Sequence, residues 1–138
     1  MIRVDQTTFG KPAGNCFAAC VASLLELRLE DVPFFMDAGP GGEWFDAFNA
    51  WLKTRGLYSL QFLVSNPNTP GQEWFPAGLH LMGGASPRHP VDSGILHCVV
   101  ADNGEIIHDP NPARTGLLTK LDVQIVIPID PSAWIRRP

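Results

Sequence analysis

The chain has 138 residues, 45% of them hydrophobic and 17% charged, which suits one folded domain spanning 1–138 and excludes disorder as its main state. Ten basic against fourteen acidic residues give a net charge of −4, so no polyanion-binding surface is expected and nucleic acid is not a predicted partner. No apolar run reaches the ~18 residues of a membrane span, and Met1-Ile2-Arg3-Val4-Asp5 lacks the apolar core of a signal peptide.

Met1 to Ala13 reads as an irregular lead-in, broken by Gly10, Pro12 and Gly14. A helix is predicted from Cys16 to Leu27. Phe17, Cys20, Val21 and Leu24 recur at helical spacing, and Ala18, Ala22 and Leu25 fill a second face. A helix this apolar all round belongs in the protein centre. Leu29 to Pro33 is read as a turn. A second helix is predicted after Gly42, running to Arg55 and stopped by Gly56, with Trp44, Phe45, Phe48, Trp51 and Leu52 as its apolar stripe.

The remainder reads as strands. These are Tyr58 to Val64, Leu79 to Met82, Ile95 to Ala101, Glu105 to Asp109 and Val123 to Ile129, before a Pro-rich tail. Ser65 to Gly78 is a long loop with Pro67, Pro70 and Pro76. Two helices followed by an antiparallel sheet make an α+β layout. A three-residue hairpin loop, Asp102-Asn103-Gly104, pairs Ala101 with Glu105 and His97 with Asp109, with positive φ at Gly104. A two-residue Asn103-Gly104 turn instead pairs His97 with Pro110 and turns Asp109 to the other face.

Three cysteines are an odd count, unlike a secreted disulfide framework, and point to free thiols in a reducing, cytoplasmic setting. Cys16 opens the buried helix. Unpaired N–H groups and the helix dipole favour a thiolate there. Cys20 and Cys98 read as small buried apolar residues. A cysteine nucleophile needs a base. His89 sits in a Pro-flanked loop and reads as solvated, His80 and His108 read as core or edge histidines, and His97 lies inside an apolar run where an imidazole needs a reason. Cys16, His97 and Asp109 follow in the order nucleophile, base, orienter. Zinc is the other chemistry weighed for Cys16, Cys20, His97 and Cys98. Strand neighbours point to opposite faces, so His97 and Cys98 do not converge on one ion, and no metal or other cofactor is predicted.

Gly14-Asn15-Cys16 with the apolar helix after it, His97-Cys98-Val99-Val100 and Asp109-Pro110 together resemble the papain-like cysteine peptidases. The resemblance is to the small C39-like branch and to phage and bacterial proteins of that type. It spans about residues 6–112. Gly-Asn-Cys is also shared with the ovarian-tumour deubiquitinases, over those three residues. The resemblance implies a central helix packed on an antiparallel sheet and a Cys16-His97-Asp109 triad. It implies a thiol hydrolase of amide, peptide or isopeptide bonds, with a protein or peptide substrate. The same triad serves acyl or amide transfer, and the same fold without activity serves binding. An oxyanion donor is implied upstream. Gln6 is the glutamine available, ten residues before Cys16 where about six are usual, with Lys11-Pro12-Ala13 as the loop that takes up the difference. Asn15 is the fallback. Trp74, on the long polar loop, is expected to wall the cleft and contact substrate. Gly83 to Gly94 is expected to form the other wall.

Overall fold

The computed structural model describes residues 1–10, 13–38, 41–66 and 68–135. Lys11, Pro12 and Pro67, on which parts of the loop expectations fall, lie outside the described residues. The protein is α+β. Helix α1 (Cys16–Leu25) and helix α2 (Glu43–Lys53) precede all five strands of an antiparallel sheet, and a short helix α3 (Pro131–Ile135) follows the last of them. The strands are β1 (Leu57–Leu63), β2 (Leu79–Ala85), β3 (Leu96–Asp102), β4 (Glu105–His108) and β5 (Asp122–Pro128), in the spatial order β1-β5-β2-β3-β4.

The apolar all-round sequence of α1 has the consequence expected of it. Every residue from Phe17 to Ser23 is buried. The helix lies on β3 and β2, with Phe17, Cys20 and Val21 against Leu81, Cys98 and Val100, while α2 packs on β1. Phe17 contacts Phe35, Trp44 and Phe48 edge-on. The other face of the sheet buries Val64, Met82, Val99, Ala101 and Val123 beneath Phe75 and Leu117, which are carried by loops. β5 lies between the strand under α2 and the strands under α1.

Element ends differ from the sequence reading for local reasons. α1 stops at Leu25, because Glu26 is left-handed (φ 57°) and the Leu27 N–H returns to Ala22 O. No glycine signals that cap. β2 continues through Gly83 and Gly84, which pair with Cys98 and His97 although glycine is a weak strand former. The Pro-rich tail contains α3, opened by Pro131 and by an Asp130 carboxylate that accepts the Ser132 N–H.

The β3–β4 hairpin overturns the predicted register. Asp102 pairs with Glu105 and Ala101 with Ile106, across a two-residue Asn103-Gly104 turn with φ of 51° and 81°. These positive angles give the turn whose twist matches the strands, and the Asn-Gly signal prevails. The register then slips. Val100 faces His108, leaving Ile107 as an extra residue. One inserted residue moves everything after it to the opposite face. Asp109 thereby returns to the face of His97, the outcome expected of the three-residue loop, reached by a bulge instead.

Gly104 is doubly constrained. Its φ is +81°, and a side-chain carbon there would stand 2.5 Å from the Phe75 ring. Gly104→Ala is therefore expected to cost more than about 1 kcal/mol in chemical denaturation. An unchanged midpoint would show that the turn relaxes freely.

Candidate functional site

Cys16 is the first residue of α1 and is half-buried. The helix starts there because the Asn15 carbonyl accepts the Ala19 N–H, and the first turn carries no acidic side chain to offset the dipole. Its thiol lines a cleft of 890 Å³. His97, near the start of β3, and Gln6, in the lead-in, line the same cleft. All three cysteines are free thiols. Cys20 and Cys98 are buried, and burial, followed by contact with Cys98, pushes the Cys20 thiol well above its ordinary pKa.

His97 is 4% exposed and Asp109 5%. His97 Nε2 lies 2.7 Å from Asp109 Oδ1. With Nε2 taken by the carboxylate, Nδ1 is the ring nitrogen left for the thiol. Burial pushes the imidazolium pKa down. The hydrogen bond to Asp109 and the nearness of the Cys16 thiol outweigh it, so the His97 pKa is raised above 6.5. Burial pushes the Asp109 carboxyl up, but His97 and the backbone N–H groups of Asn111 and Gly116 together hold it below 3.8. Those N–H groups reach Oδ1 and Oδ2 at 2.9 and 2.7 Å. The carboxylate is thus fixed by its own loop, independently of the imidazole.

The lead-in is tied to that same loop. The Gln6 N–H donates to Pro110 O at 2.9 Å, and the buried His108 is 2.8 Å from Val4 O through Nε2. Arg114 grips Asp5 with two bonds of 2.6 and 2.8 Å, and the same guanidinium donates to the Asp109 carbonyl. Gln6 reaches the cleft despite its distance in sequence because the chain between closes on itself. The Asn15 N–H donates to Thr8 O, and the Gly14 N–H donates to Gly10 O.

The two oxyanion candidates separate. Asn15 Oδ1 accepts the N–H groups of Thr7 and Thr8 at 3.0 Å each, and Nδ2 donates to Thr7 Oγ1. Its amide clamps the lead-in, and Asn15 lines a different depression from the one that Cys16, His97 and Gln6 share. Gln6 is 6% exposed. Nε2 spends one hydrogen on Thr8 O at 2.9 Å, and Oε1 has no partner among the described residues. A buried amide with unspent capacity at a cleft wall suits a polar ligand atom.

Trp74 is corrected. It is 51% exposed, does not line the cleft, and packs edge-on against Phe62 of β1 at 5.7 Å. The wall it was expected to supply comes from Trp44 of α2 with Met36 and Phe9. The opposite wall includes Gly83, Ser86, Arg88, His89 and Gly94, as expected. His89 is half-buried with Nδ1 at 3.1 Å from Ser86 Oγ, and does not stand free in solvent. His80 is fully buried, with Nδ1 2.9 Å from Gly78 O. Asp122 and Gln124 of β5 complete the floor, and nothing in the sequence distinguished them from other strand residues.

No protein-family model matches the chain, and no curated protein or solved structure matches it. Among the described residues, no three His, Cys, Asp or Glu side chains gather as a metal site, and no helix is long and apolar enough to cross a membrane.

Proposed function

We propose that this protein is a papain-like thiol hydrolase that cleaves an amide, peptide or isopeptide bond. The observation that carries the reading is the buried 2.7 Å contact between His97 Nε2 and Asp109, which leaves the other ring nitrogen to a thiol at a helix start. The Cys16 sulfur attacks the substrate carbonyl carbon, and His97 receives the thiol proton. The C–N bond then breaks as the imidazolium protonates the leaving amine. Water, deprotonated by His97, releases the acid from the thioester. The Cys16 N–H and the free hydrogen on Gln6 Nε2 are the donors for the developing oxyanion. Asp109 holds the imidazole in one tautomer and orientation.

Brief alkylation with iodoacetamide at neutral pH, followed by peptide mapping, tests the nucleophile. Cys16 is expected to be labelled first, with Cys20 and Cys98 untouched on that timescale. Labelling of Cys98 or Cys20 ahead of Cys16 would overturn the assignment. A reactive Cys16 that turns over no peptide or isopeptide substrate would favour a transferase or a binding protein on the same fold.

A further inference from the structure

The floor of the cleft carries a carboxylate that the proposed chemistry does not use. Asp122 opens β5 and is half-buried. It stands in one cross-strand row with Gly83 of β2 and Cys98 of β3. Its side chain lies over Gly83, where a side-chain carbon would collide with Oδ1. The missing side chain at Gly83 is therefore what lets the carboxylate extend across the floor. Oδ2 is held by the Gln61 amide. No lysine or arginine pairs with Asp122 among the described residues.

The cleft also holds an arginine that is already engaged. Arg88, which lines it too, donates to Thr115 Oγ1 at 2.8 Å, in the loop that anchors Asp109. Arg88 is carried by the loop after β2, and Asp122 opens β5, the neighbour of β2. Arg88 thus has a side-chain partner of its own, and Asp122 has no cationic one among the described residues. Phe17, Met36, Trp44 and Leu81 supply apolar surface to the same cleft. An apolar stem with a cationic tip matches that lining better than a wholly apolar or an acidic side chain does.

We infer that Asp122 is a specificity-determining residue, selecting a lysine or arginine side chain close to the bond that is cleaved. The inference rests on the hydrolase reading above. Neighbouring strands are about 4.8 Å apart, so Asp122 begins about 10 Å from Cys98, the neighbour of His97. An extended peptide covers that span in about three residues, and a lysine side chain shortens it further. The recognised cation therefore falls within about three residues of the scissile carbonyl.

The test uses acetylated tripeptide vinyl sulfones in which lysine or norleucine occupies each position in turn, read as the rate of covalent labelling of Cys16. One position is expected to prefer lysine by about five- to tenfold at low salt, and Asp122→Asn is expected to remove that preference while labelling by norleucine probes continues. In the unaltered protein the preference should also shrink as salt rises from about 0.02 to 0.5 M, a readout that does not depend on a variant folding. Equal rates for lysine and norleucine at every position overturn the inference, as does a lysine preference that survives Asp122→Asn, while leaving the hydrolase reading standing. Failure of every probe, neutral ones included, to label Cys16 overturns the hydrolase reading and this inference with it.

Discussion

Cys16→Ala is expected to lower turnover by at least about 10⁴-fold while the thermal midpoint hardly moves. On the reading proposed here, the sulfur forms the bond that carries the acyl group, and alanine offers no substitute nucleophile. The structural cost is small for a geometric reason. The thiol is half-buried at a cleft, and the buried packing of α1 is carried by Phe17, Cys20 and Val21. His97→Ala should cost comparable activity, since it removes the group that takes the thiol proton and returns one to the leaving amine. It should not unfold the protein. Asp109 keeps its bonds to the Asn111 and Gly116 N–H groups when the imidazole is gone. Double replacement should cost little more than either change alone, because the two groups act as one unit. Peptide hydrolysis measured beside calorimetric melting decides the matter. Activity and stability falling together in all three variants would identify a structural polar cluster and remove the catalytic assignment.

The buried helix was legible because nothing in it has to face water. Seven consecutive buried residues leave an apolar segment one place to go, and Gly14-Asn15 marks where it begins. The strands were legible from their apolar runs except at Gly83-Gly84, where pairing with Cys98 and His97 overrides a poor propensity. The hairpin shows where local reading stops. Asn103-Gly104 correctly signals a tight turn, and the adjacent residues obey it. The bulge at Ile107 has no local signal, because its consequence lies in tertiary contacts. It delivers Asp109 to His97, to Gly116 and to the loop that Arg114 binds. Trp74 and Trp44 exchanged roles for a related reason. A tryptophan on a polar loop looks free for substrate, but Phe62 offers it a partner across the β1 edge. Trp44 sits in an apolar helical stripe that reads as core, yet it lies where the helix overhangs the cleft. Asn15 is a polar residue beside the thiol, and only the folded lead-in supplies the three bonds that its amide makes to Thr7 and Thr8.

Asp109→Asn is expected to retain part of the activity, losing about 10- to 10³-fold, and to shift its pH dependence in a defined direction. In the folded protein the His97 pKa is raised and that of Asp109 lowered. A raised imidazolium pKa contributes stability that is full below the ordinary value of 6.5 and is lost as pH rises through the folded value. A lowered carboxyl pKa contributes stability that is full above the ordinary value of 3.8 and is lost as pH falls through the folded value. Both contributions are therefore complete between 3.8 and 6.5, and the stability lost on Asp109→Asn should be greatest in that window. On the alkaline side the loss should shrink without vanishing, since the carboxylate still accepts two backbone N–H groups that an amide satisfies less well. Catalysis should move with His97. Removing the carboxylate withdraws the bond that raises the imidazolium pKa, so the alkaline limb of the rate profile, where the protonated ring is lost, should shift to lower pH. Urea melts at four or five pH values beside a kcat profile measure both effects. An alkaline limb that stays in place in Asp109→Asn would show that Asp109 braces the loop between β4 and β5 without setting the charge of His97.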